Sequence, residues 1–173
     1  GNIAASNCTE CAAGKYSETA VAVAETTCLD CGAGKYSAST GNDLASDCTL
    51  CGVGKYSTDT GATAEATCLN CGAGKYLTTT GNAAEGDCVL CAEGKYSTSS
   101  GASSADTCQN CTAGTYATTT GNNALSNCTL CGLGTYSVSS GASSADTCQD
   151  CVAGKYASTE GNDAESDCQY CVL

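Results

Sequence analysis

The sequence predicts a small disulfide-rich repeat protein: tandem 20-residue β-hairpin units stacked into an elongated rod or solenoid, with little or no helix. Three observations predict it. Cysteine pairs recur every 20 residues, at 8/11, 28/31, 48/51, 68/71, 88/91, 108/111, 128/131, 148/151 and 168/171. Eighteen of the 173 residues are Cys, a density expected of disulfide scaffolds. There is no Phe, Trp, Met, Pro, His or Arg, and the aromatics are nine Tyr. Such a chain has no material for one large central core, so many local cross-links must hold it, each beside a small apolar cluster.

Each unit reads in order. The Cys-x-x-Cys pair comes first, as in Cys48-Thr-Leu-Cys51. Two residues later stands Gly-Lys-Tyr, with Gly at 14, 34, 54, 74, 94, 114, 134 and 154 and Tyr two positions on each time. Thr115 and Thr135 replace the Lys in two copies. Gly14-Lys15-Tyr16-Ser17 and its copies read as a short strand. A Ser/Thr-rich stretch then leads to a turn at a second Gly (41, 61, 81, 101, 121, 141, 161), for which Val21 stands in the first copy. Glycine there supplies a positive φ. The way back to the next Cys reads as a returning strand or an irregular arm. Ala-rich pieces such as Ala83-Ala84-Glu85 are too short for a helix.

A longer period lies over the first. Gly41-Asn42, Gly81-Asn82, Gly121-Asn122 and Gly161-Asn162 alternate with Gly61-Ala62, Gly101-Ala102 and Gly141-Ala142. In the Asn set the following Cys is preceded by Asp47, Asp87, Asn127 or Asp167, and in the Ala set by Thr67, Thr107 or Thr147. The organisation expected over 1–173 is therefore one continuous array of about eight units with a 40-residue super-repeat. Alternate units are expected to see different surroundings, through a rotation near a half-turn per unit or lateral contact on one side.

Three regular schemes can pair the cysteines. One joins the second Cys of a pair to the first Cys of the next: Cys11 to Cys28, Cys31 to Cys48, Cys51 to Cys68, Cys71 to Cys88, Cys91 to Cys108, Cys111 to Cys128, Cys131 to Cys148 and Cys151 to Cys168. It closes each Gly-Lys-Tyr hairpin and leaves Cys8 and Cys171 for chain continuation or an inter-subunit bond. Another threads Cys8 to Cys31 around it. The last closes each Cys-x-x-Cys on itself, in small rings that are strained as structural bonds. The first is favoured, and eight loops at about 3 kcal/mol each would replace the missing core.

Zinc is the competing chemistry, since Cys-x-x-Cys, 16 residues, Cys-x-x-Cys is a zinc-ribbon spacing. Nine pairs cannot all be matched in fours, every linker has one length, and the basic groups of nucleic-acid zinc proteins are missing. The expectation is therefore no metal and no cofactor. A redox site is equally disfavoured, because nine like pairs single out no active one.

The residues from Cys8 to Cys171 carry a family likeness. Cys-x-x-Cys-x-x-Gly-Lys/Thr-Tyr-Ser, a Gly-bearing turn and the next Cys-x-x-Cys resemble the cysteine-rich repeats of ephrin-receptor-like and tumour-necrosis-factor-receptor-like ectodomains. The resemblance implies that the Cys before the Gly-Lys-Tyr segment bonds the Cys ending the hairpin, hence Cys11 to Cys28 and its equivalents. It also implies an extracellular protein, some relatives of which bind protein ligands. The family often has Pro after the second Cys where this chain has Ala, Gly, Thr or Val, and its repeats diverge where these are nearly identical.

Net charge is −12, which disfavours nucleic acid and anionic membranes as partners. No apolar run approaches the roughly 20 residues that span a bilayer, so no membrane insertion is expected. Cys171-Val172-Leu173 is one residue short of a prenylation box. Starting in mid-repeat at Gly1 without Met, the sequence reads as a mature product or a window from something longer.

The remaining candidates are weaker. Each Tyr ring is expected to pack on a neighbouring disulfide and Gly, and the adjacent Lys to snorkel or meet an acid of an adjacent unit. Asp163, Glu165 and Asp167 alternate as on one strand face, a solvated acidic surface more than a calcium site. The sequons at Asn7, Asn110 and Asn127 hold Cys in the middle. Hydroxyl runs before the turns are expected to be exposed: Thr78, Thr79 and Thr80, Ser97-Thr98-Ser99-Ser100, Thr118, Thr119 and Thr120, and Ser137-Val138-Ser139-Ser140. The two Thr triplets are the candidate O-glycan acceptors. Without His no Ser/His/Asp or Cys/His arrangement exists, and Gly-x-Gly-Lys lacks the spacing of a phosphate loop, so no enzyme is expected. The function expected is structural: an extracellular filament, appendage or surface coat, self-associating into a fibre or packing on neighbouring repeats of a longer chain, and secreted to the cell surface or beyond. The alternative is a stalk or ligand-binding cysteine-rich ectodomain.

Overall fold

A computed structural model describes residues 10–19 and 27–171. They form two-stranded antiparallel hairpins of two-residue strands, single 3₁₀ turns, and no α-helix. In the first hairpin, β1 (Lys15–Tyr16) pairs with β2 (Leu29–Asp30), Lys15 opposite Asp30 and Tyr16 opposite Leu29. β2 is thus the two residues inside a Cys-x-x-Cys pair. The return between turn and Cys is the irregular arm, ending in a 3₁₀ turn such as Ala45–Asp47 or Glu65–Thr67. Strands this short are not stable alone. Each hairpin is closed by a disulfide, and up to Thr135–Tyr136 its first strand is also flanked by bonds to the following repeat.

The chain divides into two compact bodies, Gly1–Cys71 with Leu77–Cys88 and Gly72–Tyr76 with Val89–Leu173. In the first, Lys35–Tyr36 pairs with Thr49–Leu50 and Lys55–Tyr56 with Leu69–Asn70. In the second, Lys75–Tyr76 pairs with Val89–Leu90, Lys95–Tyr96 with Gln109–Asn110, Thr115–Tyr116 with Thr129–Leu130, Thr135–Tyr136 with Gln149–Asp150, and Lys155–Tyr156 with Gln169–Tyr170.

Neighbouring hairpins of a body are joined by the same backbone bonds each time. In the first body the Gly14, Gly34 and Gly54 N–H groups donate to the carbonyls of Ser37, Ser57 and Leu77, each at 2.8 Å. Ser17 donates to Asn42, Ser37 to Ala62 and Ser57 to Asn82, while Gly41, Gly61 and Gly81 donate back to Cys11, Cys31 and Cys51. In the second body Gly94, Gly114 and Gly134 donate to Ala117, Ser137 and Ala157, and Gly121, Gly141 and Gly161 donate to Cys91, Cys111 and Cys131. The strand of one hairpin therefore has its own return strand on one edge and the next hairpin on the other. Parallel bridges such as Tyr16 with Asn42 and Tyr96 with Asn122 mark the second edge.

The core is correspondingly divided. Cys71, Leu77 and Cys88 form one cluster with Tyr56 packed against it, and Cys111, Ala117 and Cys128 form another with Tyr96 against it. Each of these Tyr rings therefore lies on the disulfide of the following hairpin. Cys31, Cys51, Cys71, Cys91, Cys111 and Cys131 are fully buried.

Candidate functional site

The feature repeated along each body is the contact between successive hairpins, and the cysteines set it up. Disulfides join Cys11 to Cys28, Cys31 to Cys48, Cys51 to Cys68, Cys71 to Cys88, Cys91 to Cys108, Cys111 to Cys128, Cys131 to Cys148 and Cys151 to Cys168. Each spans 17 residues with Cα atoms 5.6–5.9 Å apart, inside the ordinary disulfide range. The two cysteines of a Cys-x-x-Cys thus belong to different loops. Cys8 lies outside the described residues, and Cys171 is free and exposed. Among the described residues no group of three or more His, Cys, Asp or Glu is placed to hold a metal ion.

Glycine decides how near successive hairpins come. Gly14, Gly34, Gly74, Gly94 and Gly114 all have φ between +72° and +79°. A Cβ on Gly74 would fall onto the carbonyl oxygen of Gly121, and one on Gly114 onto that of Gly161. The covering turn belongs to the second hairpin onward, so three consecutive hairpins meet at each such glycine. Leu90 and Leu130 flank Gly121 and Gly161 in turn, where a Cβ would come within 2.7–2.8 Å of a leucine Cδ2.

The 40-residue alternation is resolved inside the turns. In the Asn repeats, Asn122 Nδ2 donates to the carbonyls of Lys95 and Thr119, and Asn162 Nδ2 to those of Thr135 and Thr159. The residue before Cys then finishes the 3₁₀ turn: Asp87 Oδ2 accepts the Ala83 and Ala84 N–H groups, Asp167 Oδ2 those of Asp163 and Ala164, and Asn127 Oδ1 that of Ala124. In the Ala repeats Ala62, Ala102 and Ala142 are buried. There Thr107 Oγ1 donates to Ser104 O and Ser104 Oγ accepts from Asp106 N, with Thr147, Ser144 and Asp146 doing the same. Different surroundings for alternate repeats were expected from the period. Both kinds make the same backbone bonds to their neighbours, but Asn42, Asn122 and Asn162 add a side-chain bond to the preceding hairpin. The Gly81, Gly121 and Gly161 turns also lie on Leu50, Leu90 and Leu130, where the Gly61 and Gly141 turns lie on Asp30 and Asn110.

Two expectations are corrected and a third is met in part. Lys15 meets Asp30 of the next unit at 2.7 Å, whereas Lys55 meets Glu65 at 3.1 Å and Lys155 meets Glu165 at 3.6 Å within their own units. All three pairs have an exposed acid and a half-buried Lys, open enough to solvent to contribute little. Where Lys is replaced, the Thr115 and Thr135 hydroxyls donate to the Thr112 and Gly132 carbonyls. Asp163, Glu165 and Asp167 do not share a strand face, because Glu165–Asp167 is a 3₁₀ turn. Nor are the serine runs exposed throughout: Ser97 and Ser137 are buried, and their hydroxyls accept from the Ser99 and Ser139 N–H groups.

Thr78, Thr79, Thr80, Thr118, Thr119 and Thr120 are exposed. The Thr79 and Thr119 hydroxyls each donate to an Asn of the following turn, Asn82 and Asn122, while the flanking threonines of each triplet face solvent. Among the described residues no helix is long and apolar enough to cross a membrane. The chain matches no family model and no curated protein.

Proposed function

We propose that this chain is a structural, non-catalytic repeat protein whose hairpins build an extracellular filament, appendage or surface coat. The observation that supports this most is the uniformity of the contact between hairpins. The same three backbone bonds, from equivalent residues, join each described repeat of a body to the next. A contact that presents the same donors and acceptors at each step can be propagated, which is what a fibre requires. The density of disulfides is typical of secreted proteins in oxidising surroundings. The acidic surface would keep such an assembly soluble and turn away nucleic acid. Exposed Thr78, Thr80, Thr118 and Thr120 are the proposed glycan acceptors.

The pairing of Cys11 with Cys28 agrees with the one implied by the ephrin-receptor-like and tumour-necrosis-factor-receptor-like resemblance, which supports a second reading, a stalk or ligand-binding ectodomain. Electron microscopy of native material separates the two. Filaments are expected; discrete monomers at high concentration would overturn the first reading in favour of the second.

A further inference from the structure

Asn110-Cys111-Thr112 and Asn127-Cys128-Thr129 are both Asn-x-Thr sequences, and their middle cysteines are the two halves of one disulfide. The fold gives the two asparagines different tasks. The Asn110 carboxamide is committed to packing. Its Oδ1 accepts from Lys95 Nζ at 2.6 Å. It also lies against the Gly141 turn, where a Cβ on Gly141 would stand 2.9–3.2 Å from its Cγ, Oδ1 and Nδ2. A sugar on that nitrogen would displace the turn.

Asn127 is differently placed. It ends the 3₁₀ turn Leu125–Asn127 and caps it through Oδ1, which accepts the Ala124 N–H at 2.9 Å. The same geometry turns its nitrogen away from the cap. Asn127 and Thr129 are exposed. Among the described residues neither Asn127 Nδ2 nor the Thr129 hydroxyl has a hydrogen-bond partner. Capping does not require this amide. Asp87 and Asp167 hold the equivalent place, and each accepts two N–H groups where Asn127 accepts one. A carboxylate acceptor also makes the stronger bond, so Asn127 is the weaker cap of the set. Nor does the strand require Thr129, because Val89 and Gln169 stand at the same place in other Asn repeats. Among the described Asn repeats, this one alone joins Asn at the cap to Thr at the strand.

We propose that Asn127 carries an N-linked glycan and that Asn110 does not. The inference rests on the secreted character proposed above and adds a modification site to it. Asn-x-Thr is the acceptor sequence of N-glycosylation. In the transfer, Asn127 Nδ2 attacks the anomeric carbon of a lipid-linked glycosyl diphosphate of the secretory pathway. The carbon–nitrogen bond forms, the bond from that carbon to the phosphate oxygen breaks, and the diphosphate leaves with the electron pair. One Nδ2 proton is lost to a base of the transferase and then to solvent. Oδ1 is untouched, so the bond from Ala124 survives. Once the fold closes, Cys128 is buried and Thr129 is paired with Tyr116. Transfer therefore precedes the Cys111–Cys128 bond. The same interval is open to Asn110, but a substituted Asn110 cannot seat the Gly141 turn.

The test uses native full-length chain, reduced, alkylated and treated with a peptide-N-glycosidase in heavy-oxygen water, then mapped by mass spectrometry. The enzyme converts a glycosylated Asn to Asp that carries the heavy oxygen. Heavy Asp at 127 and unlabelled Asn at 110 are expected. An unmodified Asn127, or equal label at Asn110, would overturn the proposal. Full-length variants secreted from N-glycosylating cells give a second readout. Asn127→Asp and Thr129→Val each install a residue that an equivalent repeat already uses, so both are expected to fold. Each should lose the electrophoretic shift that the glycosidase removes from the wild type, and Asn110→Asp should keep it. A shift that survives Asn127→Asp, or that vanishes in Asn110→Asp, also overturns the assignment. Native chains with intact disulfides and no sugar at Asn127 would sink this site and leave the secreted reading standing. Native chains with free thiols and no sugar would sink both.

Discussion

The carbonyl oxygen of Gly121 occupies the place where a side chain on Gly74 would begin. Gly74 has φ +78°, so two separate constraints act on the same atom. Gly41 has φ +71°, and only the flexible Glu10 side chain, 3.7–3.9 Å away, stands near its Cβ position. The pair separates the cost of backbone conformation from the cost of close approach. Gly41→Ala should lose about 1–2 kcal/mol, the left-handed penalty alone. Gly74→Ala should lose distinctly more, because a backbone carbonyl cannot swing aside. Amide hydrogen exchange at Gly41, which donates to Cys11 O, and at Gly74, which donates to Ser97 O, reads the two losses locally.

Asp87 caps its turn by accepting two N–H groups through one oxygen. Asp87→Ala should cost about 0.5–2 kcal/mol, as the loss of a capping side chain does. Asp87→Asn should be close to neutral, since Asn127 caps the equivalent turn. Protection of the Ala84 amide distinguishes the two variants.

Leu77 is 3% exposed and packs on Cys71 and Cys88. The equivalent position is Ser57, Ser97 or Ala117 in other repeats. Leu77→Ala should therefore cost about 2 kcal/mol, the low end for a buried leucine, because the site already closes around small residues elsewhere. Chemical denaturation with the disulfides intact measures it.

Replacing Cys111 and Cys128 together by Ala should remove about 3 kcal/mol, the loop-closure contribution of a bond spanning 17 residues. It should also loosen Tyr96, whose ring packs on that cluster. Exchange should accelerate at Cys111, Ala117 and Gly121 and change little at Gly161, because in a repeat array each unit depends chiefly on its neighbours. Uniform acceleration through the second body would contradict this.

Much of the architecture was legible because it is periodic. The cysteine spacing announced a disulfide-rich repeat, and Gly-Lys-Tyr marked the first strand of each hairpin. The second strand was hidden. Two residues between cysteines, such as Leu29 and Asp30, are too few to show alternation, and only their pairing with Tyr16 and Lys15 reveals them. The contact of Gly74 with Gly121 was equally invisible, since nothing local connects the first glycine of one repeat to a turn two repeats away. The alternation of Asp87 and Thr107 was seen, but its partners were not: only the structure shows that Asn122 reaches Lys95 of the preceding hairpin, and that Gly121 lies on Leu90 where Gly141 lies on Asn110.

The placement of the disulfides also determines how the molecule carries a pull along its length. Tension entering at Cys31 crosses directly to Cys48 and continues through Thr49 and Leu50 to Cys51, bypassing the loop. With the bonds intact, the loaded path per repeat is one disulfide plus three peptide steps, roughly 16 Å at full stretch, against about 70 Å for the same 20 residues once reduced. The threonine-bearing tips hang outside that covalent path, while the turns share the load only through their backbone bonds to the preceding hairpin, until those break. Oxidised, the chain is a short-linked tether, and its slack is released one disulfide at a time.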